Sequence, residues 1–470
     1  MTFPNTEWTR TSPEAQGIET SAVQATLEGI LSQGADLHNL LILRNGALVF
    51  EYYASGYGPN VPHQLYSASK TFTSMAIGAA IDRGLLSLDD SAAGFFPEAN
   101  TSGLQKAITV RNLLMMSSGH EADPFDAVML PGNDPRWAKI YLETPVKYTP
   151  GTRFQYETGA TYMLGAILTR ITGKPVLELE KEWFLNDIGV TSADMMLSPE
   201  GCSTAGTNME MCPPDMARFG LLLLNGGNWN GKQLLPKWYV EEASRRQIHS
   251  VTPGNNEYKI EARQGYGYQT WRCSYNAWRA DGMCGQLILM CPDQNMVVTA
   301  NCAMDNARAN LLVDSVRDNL LPGIFSDALP ENEAAQKALC EYITSVTADV
   351  KPEGAEIPVG SWNFDPAKNP IGLSFLALDE KHVTVKMKNI SCRLPWKWNG
   401  IAFSGNCIFT VGGWKYVPLG ASMTWRDMAY LHIHAFSEGH TEDLGLCVKD
   451  GALTVYGDSS MAGRFTARSL

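Results

Sequence analysis

The sequence predicts an α+β domain over residues 1–330, a connecting helix or linker over 331–350, and a small all-β domain over 351–470. Strand-like apolar runs stand near both ends of the first part, and segments with helical punctuation lie between them. After Pro322 the composition turns to alternating apolar and polar runs with frequent Gly and Asn. Strands at both ends with helices between imply one antiparallel sheet built from chain-distant strands, with the helices packed on it.

Residues 39–53 read as two strands around Asn45-Gly46, a dipeptide that supplies the positive φ angles of a type I′ turn. The segment Thr109–Met116, ending at Gly119, and the segment Asp215–Leu224, ending at Gly226-Gly227, read as helices stopped by glycine. A third helix runs from about Thr161 to Thr172. Gly265–Arg272 reads as a strand, and Gln286–Asn301 as a hairpin turning at Pro292-Asp293-Gln294-Asn295. Glu331–Leu339 forms the connecting helix, followed by the polar, proline-bearing Lys351–Ala355. His382–Lys388 and Met428–His434 alternate as strands of the terminal domain.

At 470 residues, 44% hydrophobic and 18% charged, the chain is long and apolar enough for sizeable cores. A net charge of −12 argues against a nucleic-acid backbone or an anionic membrane surface as partner, since either repels the protein as a whole. The first residues lack a basic region followed by an apolar run, and no run of about 18 apolar residues follows, so a cytoplasmic protein is expected. Ten scattered cysteines without a C-x-x-C pair indicate neither a zinc ribbon nor a disulfide framework.

Ser67 and Lys70 are three residues apart, ahead of an apolar stripe at Phe72, Met75, Ala76, Ala79 and Ala80. Both side chains therefore point to one side of a helix's first turn. Burial and the positive helix end disfavour an ammonium there, lowering a reference pKa of about 10.4 and making the lysine a base for the serine. Taken alone, the spacing is also met by a helix-capping serine and a solvated lysine.

The surroundings decide between these. Leu65–Ser74 and then Ile81–Asp90 closely resemble the active-site helix and following turn of the β-lactamase-related serine hydrolases, which include class C β-lactamases, D,D-peptidases, esterases and 6-aminohexanoate-dimer hydrolases. The resemblance continues through Thr109–Gly119, Pro150–Tyr156 and Asp215–Gly220, and covers roughly residues 8–322. It implies a β-lactamase/transpeptidase-like fold. Some relatives carry a β-barrel extension, and the region after 351 is similar in arrangement.

The same resemblance assigns roles. Tyr156 matches the tyrosine of the family's Tyr-x-Asn motif and would pass a proton to the leaving group. Thr158 replaces that motif's asparagine, which binds a substrate amide in penicillin-recognising members; threonine lacks the two amide donors. Ala280-Asp281-Gly282 aligns with the Lys-Thr-Gly motif, keeping the glycine and losing a cation whose contact with a substrate carboxylate is worth about 1.5–3 kcal/mol. Backbone N–H groups of Ser67 and Met283 would form the oxyanion hole. Asp281 is a candidate for binding a cationic or amino group, with Gly282 and Thr158 as further substrate contacts. Tyr266, Tyr268, Trp271 and Trp278 either line an apolar acyl pocket or pack the sheet.

The expected protein is thus a serine hydrolase acting on an amide or ester bond of a small molecule, without metal or cofactor. The alternatives within the family are a β-lactamase or D-Ala-D-Ala carboxypeptidase. Outside it stands a non-catalytic acyl-sensing module with the same fold, in which the lysine or tyrosine would be lost. An α/β-hydrolase is excluded because G-x-S-x-G does not occur. A metalloenzyme would rest on His432-x-His434, one face of a strand, with His440 the only guess for a third ligand.

Overall fold

A computed structural model describes residues 3–470 apart from 5–6, 126–133, 252–259, 305–307, 309, 349–350, 352, 389, 399–401, 412–414, 426–427, 436–439, 450 and 460–462. Strands β1 (Asp36–Arg44) and β2 (Ala47–Tyr53) meet at Asn45 and Gly46, whose φ angles of 53° and 83° are those the two-residue turn demands. A short three-stranded sheet is made by β3 (His63–Gln64), β4 (Asp194–Met195) and β5 (Met209–Met211), with β5 in the middle. Asn228–Trp229 and Lys232–Gln233 (β6, β7) form a separate hairpin.

The central sheet takes its other strands from much later: β8 (Trp271–Arg272), β9 (Trp278–Gly282), β10 (Gln286–Cys291) and β11 (Met296–Ala303). Its order is β2-β1-β11-β10-β9-β8, and the join between the two ends of the domain is antiparallel, Leu40 opposite Ala300. The expected strand over 265–272 contracts to Trp271–Arg272. Gly265 at φ 106° and Gln269 at φ 60° turn the preceding backbone, so those residues form turns and isolated bridges.

Period-two burial puts Leu41 and Leu43 on one face of β1 and Leu40 and Ile42 on the other. The first face packs helices α2 (Ser69–Asp82), α3 (Thr158–Thr172) and α4 (Pro213–Leu224); the second packs α1 (Thr20–Ser32) and residues 311–320. Helix α2 is buried on every side from Ser69 to Ala80, more than an apolar stripe requires, because helices and sheet surround it. Helix α5 (Glu333–Thr347), capped by Asn332, is longer than the sequence suggested and packs on α1 through Leu339.

After α5 come a four-stranded sheet, β12 (Gly360–Asn363) to β15 (Ile390–Pro395) with β13 (Phe375–Leu378) and β14 (His382–Met387), and a seven-stranded one. The latter contains β16 (Lys397–Trp398), β17 (Ala402–Val411), β18 (Lys415–Trp425), β19 (Ala429–Ala435), β20 (His440–Lys449), β21 (Ala452–Ser459) and β22 (Gly463–Arg468). Alternate residues such as Val383, Val385, Leu431 and Ile433 fill one core between the two sheets. Among the described residues no ladder closes them into a barrel. No helix of the described residues is long and apolar enough to cross a membrane.

Candidate active site

The chain leaves β3, passes Tyr66 at φ 46°, and enters a single 3₁₀ turn, Tyr66–Ala68, that runs straight into α2. A left-handed tyrosine costs about 1–3 kcal/mol and persists only where the surroundings hold it. Here Ser69 donates to the Tyr66 carbonyl and accepts from Met209 N–H at 3.3 Å, tying the turn to β5. Ser67 therefore stands at the mouth of a helix that is itself immobilised by packing.

Lys70 lies one turn on, 1% exposed, with Nζ 2.9 Å from Ser67 Oγ, 3.3 Å from Thr158 Oγ1 and 2.6 Å from the Gly206 carbonyl. Burial lowers its pKa to about 7, against the opposing charge of Asp123. When the ammonium loses a proton, two N–H groups remain for Gly206 and Thr158, and the lone pair faces Ser67.

Tyr156 comes from the segment ahead of α3. Its ring stacks on Trp271 at 5.6 Å and 25°, meets Tyr266 edge-on at 6.2 Å, and lies 5.1 Å from Lys70 Nζ. Burial pushes the phenol well above its ordinary pKa, although its hydrogen bond with Ser67 works the other way, so the hydroxyl stays protonated at neutral pH.

Two acidic residues that sequence reasoning missed hold this segment in place. Glu157 is fully buried and accepts from Ser118 Oγ at 2.6 Å and Tyr141 hydroxyl at 2.7 Å. The Asp123 carboxylate accepts from the Thr158 and Gly159 N–H groups, capping α3 and completing charge at a helix N-terminus. Gly206, the third omission, contributes a backbone oxygen that no side-chain pattern marks.

On the opposite wall, Gly282 ends β9 where a Cβ would stand 2.2 Å from the Leu65 carbonyl, so only glycine lets this strand pass the turn that bears Ser67. Met283 follows, 37% exposed, and its carbonyl accepts from Gln286 Nε2 at 3.1 Å. Gln286 Oε1 accepts from Asn301, and Asn301 Oδ1 accepts from Asn39, a buried amide thread that runs across three strands to the peptide after Met283.

Asp281, the candidate for binding a cationic or amino group, keeps 25% of its side chain exposed. It shares a strand face with Arg279, two residues away, and their side chains pair at 2.7 Å. Thr158 faces Lys70, and Ala280 is buried in the core. Of the four aromatics, Tyr266 and Trp271 surround Tyr156, while Trp278 is core and Tyr268 packs beside Tyr239 and accepts from Arg111. His432 and His434 share a face of β19, 6.2 Å apart; the side chain of His440 lies outside the described residues.

A family model described as Beta-lactamase matches residues 27–310. The chain is 26% identical over 216 residues to a 6-aminohexanoate-dimer hydrolase of Paenarthrobacter ureafaciens, covering 43% of this chain and 55% of that protein. It is 27% identical over 188 residues to a lovastatin esterase of Penicillium rubens, covering 35% and 46%. The chain thus spans about half the length of the curated relatives it matches. In fold it is similar to an octameric penicillin-binding protein homologue from Pyrococcus abyssi, with a TM-score of 0.51 and 17% identity, covering 95% of this chain and 99% of that one.

Proposed function

The chain belongs to the beta-lactamase family of hydrolases, and from that premise we propose that it splits an amide or ester bond of a small molecule through an acyl-enzyme on Ser67. The reading rests on one observation: a buried lysine whose pKa is about 7, with its amine 2.9 Å from a serine hydroxyl and its other contacts already made. Retention of Ser67, Lys70 and Tyr156 together favours an enzyme over an acyl-sensing module.

In the first step Lys70 takes the Ser67 proton as Oγ bonds to the carbonyl carbon and its π electrons move to oxygen. The backbone N–H groups of Ser67 and Met283 stabilise that oxyanion. Collapse expels the amine or alkoxide, which takes the Tyr156 proton, and the Lys70 ammonium restores the phenol. Water repeats the sequence on the acyl-enzyme and frees Ser67. Residues 1–330 carry this reaction in our reading, with 351–470 a separate domain.

The proposed substrate does not depend on a carboxylate. Ala280 offers no cation, and the neighbouring Arg279 is paired with Asp281. This favours linear amides and neutral esters over carboxylate-bearing β-lactams and D-Ala-D-Ala peptides, in keeping with a relative named as a lovastatin esterase.

The test is incubation with a fluorophosphonate and a panel of p-nitrophenyl esters, followed by peptide mass analysis. An adduct on Ser67 and loss of turnover in Ser67→Ala are expected. Absence of the adduct, or unchanged turnover in that variant, overturns the mechanism.

A further inference from the structure

A second cluster of chemically able side chains lies where the first strand of the central sheet meets the C-terminal seven-stranded sheet. Asp36 opens β1, His38 follows on the same face, and His434 projects from β19. Asp36 Oδ2 is 3.3 Å from His38 Nε2 and 2.9 Å from His434 Nδ1. One donor atom from each of the three lies within 4.8 Å of the others. His38 is fully buried and His434 is 3% exposed.

The hydrogen bonds of His63 set the tautomer of His38. The Gln64 carbonyl can only accept, so His63 Nδ1, 2.9 Å away, carries a proton. A neutral His63 then presents Nε2 as an acceptor, and His38 Nδ1 donates to it across 2.7 Å. A neutral His38 is left with an in-plane lone pair on Nε2, facing the Asp36 carboxylate.

Tyr57 does not absorb that lone pair. Its ring is stacked on His38 at 4.0 Å and 12°, so its hydroxyl, 3.1 Å from Nε2, approaches from the face of the imidazole. On the far side, Ser422 Oγ lies 3.0 Å from His434 Nε2. His434 Nδ1 makes no hydrogen bond of normal geometry among the described residues, close as it is to Asp36. Where Ser422 donates to Nε2, His434 Nδ1 carries a lone pair beside the Asp36 carboxylate, and a shared cation turns the repulsion among such lone pairs into coordination.

We propose that Asp36, His38 and His434 bind a divalent first-row transition metal of zinc-like preference, which clasps β19 to β1. Two imidazoles and a carboxylate are a donor set of that class. Bonds of about 2.0–2.2 Å place neighbouring ligand atoms about 2.9–3.4 Å apart for angles between square and tetrahedral, and both observed separations fall there. The second nitrogen of each histidine is already engaged, by His63 and by Ser422, as it is in metal sites whose ligands are pre-oriented. His432 is outside the cluster, so the metal-ligand reading of β19 keeps His434 and draws its partners from β1.

The full chain, stripped with a chelator, is titrated with Zn2+ by calorimetry and with Co2+ by visible absorption. One equivalent should bind, with His434→Gln and Asp36→Asn each weakening Zn2+ binding by about 100-fold and His432→Gln leaving it unchanged. X-ray absorption of the zinc-loaded wild type should report imidazole nitrogen in the inner shell, a readout that stands even where a variant does not fold. Failure of the wild type to bind either metal, variants that bind as tightly as the wild type, or an inner shell of water oxygen alone overturns the proposal.

Discussion

Lys70 Nζ and the carbonyl oxygen of Gly206 lie 2.6 Å apart, the shortest hydrogen bond of the amine among the described residues. A backbone oxygen cannot give up its acceptor role at any pH. It fixes one N–H of Lys70, and with Thr158 fixing another, the direction of the lone pair follows.

The pH dependence of turnover should carry this signature. With Lys70 near pKa 7, kcat/KM for a neutral ester is expected to rise through an acid limb of apparent pKa about 7. The charge of Asp123 raises that value, so Asp123→Asn is expected to move the limb to lower pH. Stopped-flow or plate-based rates between pH 5 and 9, chosen as a range of about two units either side of the limb, check both.

Tyr156→Phe keeps the ring between Trp271 and Tyr266 and removes only the hydroxyl. Turnover of an amide is expected to fall by about 10²–10⁴-fold. A p-nitrophenyl ester, whose leaving group departs without a proton, should lose far less, and the melting temperature should hold. Equal losses on both substrates would remove Tyr156 from the leaving-group step.

Stability should depend on pH through the same lysine. Its folded pKa, about 7, is below the ordinary 10.5, so between those values the unfolded chain binds the extra proton and stability rises with pH; below about 7 both states are charged and this dependence vanishes. The slope from one such group is at most about 1.4 kcal/mol per pH unit. Urea midpoints of the wild type and Lys70→Met at several pH values isolate it, since the variant lacks the slope.

Gly282→Ala places a methyl group 2.2 Å from the Leu65 carbonyl, a backbone atom that cannot swing aside. The strand or the Ser67 turn must shift, costing about 1–3 kcal/mol. Turnover should drop with it, and fluorophosphonate labelling of Ser67 should slow in parallel.

Local chemistry alone dictates the Asn45-Gly46 turn, the hairpin about Asn295 and the glycine-stopped α4, and all three are legible in the amino-acid sequence. Lys70 Nζ lies 2.9 Å from Ser67 Oγ and 5.1 Å from the Tyr156 ring, three residues that the sequence offers together as candidates. What escaped falls into two kinds. The Gly206 carbonyl, the Asp123 cap and the Glu157 network depend on chain-distant contacts that leave no local pattern. The Arg279–Asp281 pair, by contrast, was readable: residues two apart on a strand share a face, and opposite charges there find each other before they find a substrate.

The thread of buried amides from Asn39 through Asn301 and Gln286 to Met283 has a consequence for folding as well as for chemistry. Asn39 and Asn301 are register partners in the one join that links the early hairpin to the late strands. A sheet zipped one residue out of step turns its side chains over and strands these amides without partners in an apolar interior. The same mistake unseats the peptide after Met283. Correct alignment of strands far apart in sequence and correct placement of the backbone that follows Gly282 are therefore one condition.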